Sequence, residues 1–219
     1  SWNVRYLVVD TGSWLPGRKV LITPSALGKP EGLMEVFPVE LTREQVKNSP
    51  DFDTEKPVSR QQEIELYKYY NWTPYWGSAG PLAAYADVAP VAPIQIEDEQ
   101  PASAEAKGKT DPHLRSTKEL IGYKIHAEDG EIGHVEDFVV HEDDWIIRYI
   151  VIDTRNWLPG RKVIIPPGWW IKEIRWADSE VIVNVKRDAI KNSPEFDPAE
   201  PVNREYETRL YDYYGRPKY

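Results

Sequence analysis

The sequence lacks cysteine altogether, and it has fewer glycines than prolines. Zero Cys among 219 residues excludes disulfides, thiolate nucleophiles and cysteine-ligated zinc or iron–sulfur centres. The 19 Pro and 13 Gly favour strand ends and stiff loops over long helices. No run reaches the roughly 18 apolar residues of a membrane-spanning helix, and no signal peptide is recognisable. We therefore expect no direct membrane span and a cytoplasmic location, with a peripheral position at the inner membrane left open.

Positive charge is also scarce. The 27 Lys and Arg stand against 36 Asp and Glu, which gives a net charge of -9. Nucleic-acid binding depends on clustered cations, and so does adhesion to anionic lipid. The sequence also contains no glycine-rich phosphate loop, no GxSxG or HExxH motif and no dinucleotide fingerprint. We predict a protein that binds no nucleic acid, holds no cofactor or metal and is not an enzyme.

An internal repeat organises the chain. SWNVRYLVVDTGSWLPGRKVL at 1–21 aligns without a gap to DWIIRYIVIDTRNWLPGRKVI at 144–164, with 13 of 21 positions identical. Two further pairs of segments match in the same order after a single-residue indel: KNSPDFD (47–53) with KNSPEFD (191–197), and PVSRQQEIELYKYY (57–70) with PVNREYETRLYDYY (201–214). Agreement in this order indicates a duplication.

The repeat divides the chain into three parts. Residues 1–76 form the first copy with its helical tail, 77–115 an Ala/Pro/acidic linker, and 116–219 the second, complete copy with its tail. The first copy has no counterpart of residues 118–143, so we expect it to be truncated at its amino end. The alternative is that another chain supplies the strands that correspond to residues 118–143.

The sequence of the second copy predicts six short strands, because segments rich in apolar, β-branched and aromatic residues are separated by polar turns. The strands are GYKIHA (122–127), IGHVEDFVVH (132–141), WIIRYIVID (145–153), KVIIPP (162–167), WIKEIRW (170–176) and EVIVNV (180–185). Helices follow at 187–192 and 203–215, the latter with Asn203 as N-cap and Gly215 as its stop. In the first copy Ser59 and Gln62 form a capping-box pair. The fold class is mainly β: two small antiparallel barrels, each followed by short helical segments rich in Tyr.

The run GYKIHAEDGEIGHVEDFVVHEDDWIIRYIVIDTRNWLPGRKVIIPP at 122–167 resembles the PRC-barrel family, and NSPEFDP and REYETRLYDYYGRP strengthen the resemblance. The likeness is to tandem PRC-barrel proteins similar to the cytoplasmic barrel domain of the photosynthetic reaction-centre H subunit. It implies a non-catalytic protein-interaction or scaffolding role with an unidentified protein partner. Two possibilities stay open: the partner is a membrane complex, or two copies of the chain form a homodimer. The alternative is an accessory component of photosynthetic electron transport that tunes a membrane quinone site.

The motif DTxxWLPGRKV, at 10–20 and 153–163, provides the candidate interaction residues. They are Trp14, Arg18 and Lys19 in the first copy and Trp157, Arg161 and Lys162 in the second. We expect Asp10 and Asp153 to accept hydrogen bonds from backbone donors of the turn. Two readings stay open: a turn whose Trp closes the core, or an exposed docking patch of the Trp and Arg residues that dominate interfaces.

Other residues also receive candidate roles. Under the H-subunit comparison, Glu136 and Asp137 are the candidates for conveying protons. The four histidines are read as surface or barrel-end residues, with metal binding as the alternative: His113, His126, His134 and His141. The apolar helix faces are expected to pack on a barrel, with a partner-binding surface as the alternative: Leu66, Tyr69 and Tyr70 in one helix, and Tyr206, Leu210, Tyr213 and Tyr214 in the other.

Overall fold

The structure is a computed structural model that describes residues 2–29, 36–76, 112–154 and 161–215. It divides into two compact units. The amino-terminal unit is Val8–Ser116, and the carboxy-terminal unit joins Ser1–Leu7 to Thr117–Tyr219. The predicted linker lies mostly outside the described residues, as does Trp157. Within the described part of the chain, no helix is both long and apolar enough to cross a bilayer.

The amino-terminal unit combines two small sheets with two helices. Its elements are β1 (Leu7–Asp10, which begins one residue before the unit), a 3₁₀ turn (Gly12–Trp14), β2 (Lys19–Ile22), a 3₁₀ turn (Pro24–Ala26), α1 (Arg43–Asn48), β3 (Val58–Ser59), α2 (Arg60–Tyr70) and β4 (Pro112–Leu114). β1 pairs with β2, and β3 pairs with β4. Val20, Ile22 and Ala26 form a small buried core.

Capping residues fix where the helices of this unit begin. The Ser59 side chain accepts from the backbone N–H of Gln62, and the Gln62 side chain accepts from the backbone N–H of Ser59, so the predicted capping box of α2 is confirmed. Thr42 and Gln45 form a second capping box at α1, which the sequence analysis missed. α2 ends at Asn71, whose φ of 55° places it in the left-handed region that terminates helices.

The carboxy-terminal unit contains all six predicted strands. They are β5 (Lys124–Ala127), β6 (Gly130–Val140), β7 (Ile147–Asp153), β8 (Lys162–Ile165), β9 (Ile171–Arg175) and β10 (Glu180–Val183). The helices are α3 (Thr117–Leu120), α4 (Pro167–Trp170), α5 (Arg187–Lys191) and α6 (Arg204–Tyr214). The side chain of Asn203 accepts from the N–H of Tyr206, and Gly215 ends α6 in the left-handed region, as predicted.

The six strands form one sheet in the order β8-β7-β6-β5-β10-β9. Four neighbouring pairs are antiparallel, but β10 runs parallel to β5 with Val181 opposite Ile125. The prediction of a purely antiparallel fold is therefore wrong at this junction. Turn residues specify each hairpin, but they do not specify which strand of the β9–β10 hairpin lies beside β5.

The sheet curls, because its two edges are joined by a short link. β8 ends at Ile165 and β9 begins at Ile171. A flat six-stranded sheet would separate these edge strands by about 24 Å. The link reaches about 22 Å at full extension, and the helical turn of α4 shortens it further. Yet β8 and β9 do not pair in the described residues, so what is confirmed is a mainly β fold with helices, without a closed barrel.

Side chains pack on both faces of the sheet. One face carries the larger core, which includes Ile125, Ile132 and Ile152. The other face carries Tyr149, Val151 and Ile164, and Tyr206 and Leu210 of α6 cover it. Residues near the amino terminus also join this unit. The N–H of Val4 donates to the carbonyl oxygen of Trp145 at 2.8 Å, and the N–H of Ile147 donates to that of Trp2 at 2.9 Å.

Candidate functional site

The turn between β1 and β2 contains the first DTxxWLPGRKV motif. Oδ1 of Asp10 accepts from the N–H of Gly12 at 2.8 Å, which confirms the predicted Asp-capped turn. The hydroxyl of Thr11 donates to the carbonyl oxygens of Leu15 at 2.7 Å and Arg18 at 2.9 Å. Thr154 makes the equivalent bond to the carbonyl oxygen of Arg161 at 2.6 Å. Side-chain hydrogen bonds therefore hold the start of the turn in both copies.

The arginine of each motif binds the end of a helix in its own unit. Nη1 of Arg18 donates to the carbonyl oxygen of Lys47 at 2.5 Å, and Nη2 donates to that of Ser49. Nη1 of Arg161 donates in the same way to Lys191 at 2.7 Å, and Nη2 to Ser193. The last carbonyls of a helix lack intrahelical partners and carry the negative end of its dipole. Both guanidinium groups thus satisfy and neutralise the ends of α1 and α5.

The lysines that follow these arginines are in ion pairs. Nζ of Lys19 lies 2.9 Å from Glu55 at the surface, and this hydrogen bond raises the pKa of Lys19. Nζ of Lys162 lies 2.5 Å from Oε1 of Glu136, and both side chains are about one-third exposed. The structure therefore places the predicted interaction residue Lys162 beside Glu136, one of the two candidates for conveying protons.

Trp14 is the one residue of the first motif with a large exposed apolar side chain. It is 40% exposed and lies on the 3₁₀ turn Gly12–Trp14, which contains no buried residue. The guanidinium carbon of Arg43 lies 5.7 Å from the centre of its ring, a cation–π distance. Trp14 and Arg18 thus have different roles, because Arg18 binds backbone carbonyls whereas Trp14 faces solvent.

The tyrosine-rich helices contact the same segments that the arginines bind. The hydroxyl of Tyr69 donates to the carbonyl oxygen of Gln45 at 2.9 Å, and that of Tyr213 to Ala189 at 2.8 Å. Both tyrosines are nevertheless 39% exposed, so the prediction that they belong to the packed face is wrong. Leu66, Tyr70, Tyr206 and Leu210 are buried as expected, and so are Tyr67 and Tyr211, which the sequence analysis did not assign to that face.

A buried carboxylate in α2 was also missed. Glu63 is 0% exposed, and its Oε2 lies 3.0 Å from Nη1 of Arg60. The hydroxyl of Tyr75 donates to its Oε1 at 3.0 Å. At the equivalent position of α6, Glu207 accepts from the hydroxyl of Tyr149 at 2.8 Å. A Glu at the same position of both repeats was the signal that could have identified these bonds.

Three of the four histidines each lie near one carboxylate of the carboxy-terminal unit. His126 lies 3.3 Å from Glu180, and His134 lies 3.8 Å from the buried Asp153. His141 lies 3.1 Å from Asp144. The side chain of His113 is outside the described residues. Among the residues that are described, no cluster of three or more potential metal ligands occurs.

A cavity of about 330 Å³ opens beside β6 in the carboxy-terminal unit. Its lining includes Phe138, Val151, Phe196 and Val202 together with the Lys162–Glu136 pair. Asp137 also lines it, and Oδ1 of Asp137 accepts from the N–H of Phe138 at 2.8 Å. The cavity is thus a mainly apolar groove with one ion pair at its margin.

Comparison with protein families supports part of the expected identity. Residues 113–190 match the PRC-barrel domain family and contain one such domain. The matched segment includes all six strands of the sheet and α5 except its last residue. No curated protein matches the chain. The tandem arrangement and the likeness to a reaction-centre H subunit remain predictions.

Proposed function

We propose that the chain is a non-catalytic protein-interaction protein that binds a protein partner through the exposed surface around Trp14. PRC-type modules would serve as its scaffold, in the cytoplasm or at the periphery of the inner membrane. The PRC-barrel domain at 113–190 is consistent with such a role.

Equivalent hydrogen bonds support a tandem of two related modules. Arg18 and Arg161 bind the ends of α1 and α5 in the same way. Tyr69 and Tyr213 add an equivalent bond to the same two helices. A shared sequence pattern that produces the same long-range contacts is what a duplicated structural module would show.

The pair formed by Trp14 and Arg43 is the observation that carries the proposal. Buried Trp and Arg residues contribute most of the binding free energy at many protein interfaces. Trp14 makes no hydrogen bond to a helix end like that of Arg18, and its partly exposed indole offers a large amphipathic surface to a partner. Arg43 presents a cation at the same surface, so a partner with an acidic or aromatic group is favoured.

Affinity capture from a native extract tests the proposal. The full chain, its Trp14→Ala variant and a Val39→Ala control would be compared by quantitative mass spectrometry. Val39 is 41% exposed, so the control removes a similarly exposed apolar side chain in the same unit. We expect at least one partner to be retained by the wild type and the control and to fall at least tenfold with Trp14→Ala.

Two other outcomes would change the conclusion. Equal recovery by all three proteins would show that Trp14 is not the docking residue. Recovery of photosynthetic membrane proteins would support the alternative role in photosynthetic electron transport and would identify the partner as a membrane complex.

A further inference from the structure

The groove beside β6 is built from two segments of the carboxy-terminal unit. Residues 136–140 of β6 and residues 196–202 supply most of its lining, and Val151 of β7 and Lys162 of β8 complete it. Its volume of about 330 Å³ lies at the lower end of the range of about 300–1,000 Å³ that is usual for ligand pockets. The groove can therefore accept a few side chains, but not a folded domain.

The fold holds both sides of the groove in place. On one side, β6 is paired with β7 along this stretch. On the other side, the N–H of Phe196 donates to the carbonyl oxygen of Lys162 at 2.9 Å. Oδ1 of Asp197 accepts from the N–H of Ala199 at 2.9 Å, and the ring of Pro198 restricts the backbone between them. A ligand would thus meet a preformed surface, which lowers the entropic cost of binding.

The inner part of the groove is apolar. Val151 and Phe196 are buried, and Phe138 and Val202 are partly buried. Val140, which also lines the groove, is 38% exposed. Apolar side chains of a partner that lie here would remove apolar surface of both proteins from water, which favours binding.

The rim of the groove is acidic. Asp137 and Glu200 are exposed, one on each of the two lining segments. Neither forms an ion pair with any residue that the structure describes. The third acid, Glu136, is already paired with Lys162 at 2.5 Å. The rim therefore keeps two negative charges that a cationic partner could neutralise.

We propose that this groove binds an extended segment of a partner protein in which lysine or arginine residues alternate with apolar residues. The apolar side chains would fill the inner part, and the basic ones would pair with Asp137 and Glu200. Charge complementarity of this kind speeds association and excludes other partners. The inference goes beyond the proposed function, because it assigns a second binding surface, in the carboxy-terminal unit, with a partner chemistry of its own.

Other occupants fit the groove less well. A small molecule is usually buried over about 70–90% of its surface, whereas the rim here is formed by exposed residues such as Pro201 and Glu200. The chain's own linker, 77–115, has six acidic and three basic residues, so the acidic rim would repel it. A second copy of the chain carries a net charge of -9 and is disfavoured for the same reason.

Peptide binding to the full chain tests the inference. The probe is a fluorescein-labelled peptide of about seven residues in which arginine and leucine alternate, since five residues of β6 span about 17 Å. Two matched peptides replace every arginine with glutamate, or every leucine with glycine. Fluorescence anisotropy should show saturable binding of the first peptide and at least tenfold weaker binding of the other two. Binding should slow amide hydrogen exchange in residues 136–140 and 196–202.

Variants of the chain identify the acids that the peptide contacts. Asp137→Asn combined with Glu200→Gln removes both charges and keeps the side-chain oxygens, so the variant should fold normally. It should bind the peptide of arginine and leucine at least fivefold more weakly. The control is Glu173→Gln combined with Asp178→Asn, which removes two exposed acids of the same unit that do not line the groove. The control should bind like the wild type.

Several results would overturn the inference. These are no saturable binding, equal affinity for the three peptides, equal losses in the two double variants, and slowed exchange outside residues 136–140 and 196–202. Binding that appears only after deletion of residues 88–96 would also overturn it, because the linker would then be the occupant. The Trp14→Ala chain should bind the peptide like the wild type, so a failure here and a failure of the proposed function can be told apart.

Discussion

Gly133 lies against the backbone of Asp153, so closely that a Cβ at residue 133 would overlap the carbonyl oxygen of Asp153. We predict that Gly133→Ala lowers the free energy of unfolding of the carboxy-terminal unit by about 3 kcal/mol or more. Two costs combine, because the backbone must move and the φ of 140° becomes strained. Urea unfolding followed by circular dichroism measures the change.

Gly168 provides the matched control for this substitution. A Cβ at Gly168 would meet no atom within 4 Å, and the residue lies in α4. Gly168→Ala should therefore be neutral or stabilise by about 0.5–1 kcal/mol. Similar losses for the two variants would contradict the close approach of Gly133 to Asp153.

The arginine contacts at the helix ends give a second prediction. Arg161→Lys should destabilise the carboxy-terminal unit by about 1.5–3 kcal/mol, because one ammonium group cannot reproduce two guanidinium hydrogen bonds to separate carbonyls. Thermal unfolding by calorimetry measures the effect. The control is Arg175→Lys, since the Arg175 side chain is 45% exposed in its ion pairs with Glu173 and Glu180 and its replacement should cost less than about 0.5 kcal/mol. A loss at Arg161 no larger than at Arg175 would refute the structural role.

Because one of its tyrosines is buried, the protein should lose stability as the pH becomes strongly alkaline. Burial raises the pKa of Tyr206 to about 12, from an ordinary value of 10.0. The neutral phenol is favoured in the folded state, so its contribution is complete below about pH 10 and is lost as the pH rises through 12. We expect a loss on the order of 2 kcal/mol across this window.

The Tyr206→Phe variant isolates this contribution. Other groups also titrate in the window, so the test is the difference between the wild type and the variant, each unfolded with urea at pH 8, 10 and 11.5. The wild type should lose more stability between pH 10 and 11.5 than the variant does. Parallel losses would mean that Tyr206 ionises at its ordinary pKa.

The tryptophan of the DTxxWLPGRKV motif has two interpretations, one in which it closes the core and one in which it is an exposed docking residue. The two interpretations make different predictions about stability. Trp14 is 40% exposed and lies on a turn with no buried residue, so Trp14→Ala should change the free energy of unfolding by less than about 1 kcal/mol. Trp170 is buried in the main core, and Trp170→Ala should cost about 3–5 kcal/mol. Urea unfolding of the two variants gives the comparison. A large loss for Trp14→Ala would instead support a Trp that closes the core.

Local structure could be read from the sequence because it depends on neighbouring residues. The strand IRYIVID is rich in β-branched and aromatic residues that suit a pleated surface, and Asn203 and Gly215 mark the ends of α6. The capping box of Ser59 follows from two side chains three residues apart. Each of these features uses interactions that are short in sequence.

Features that depend on distant residues could not be read in this way. Arg161 binds residues about 30 positions further along the chain, and no local sequence pattern indicates such a contact. The parallel pairing of β10 with β5 depends on how a complete hairpin joins the sheet. The exposure of Tyr213 was missed because apolar spacing cannot show how far the packed face of a helix extends.

Photo-crosslinking from position 13 tests the central claim, that this protein acts by binding a protein partner at Trp14. The full chain would carry benzoylphenylalanine in place of Ser13, the exposed neighbour of Trp14 on the same 3₁₀ turn, or in place of Val39 as the control, and would be irradiated in native extract. The account predicts a reproducible protein adduct from position 13 that excess unlabelled wild-type chain abolishes and excess Trp14→Ala chain does not. Adducts of equal yield and identity from both positions, or none from position 13, would contradict it.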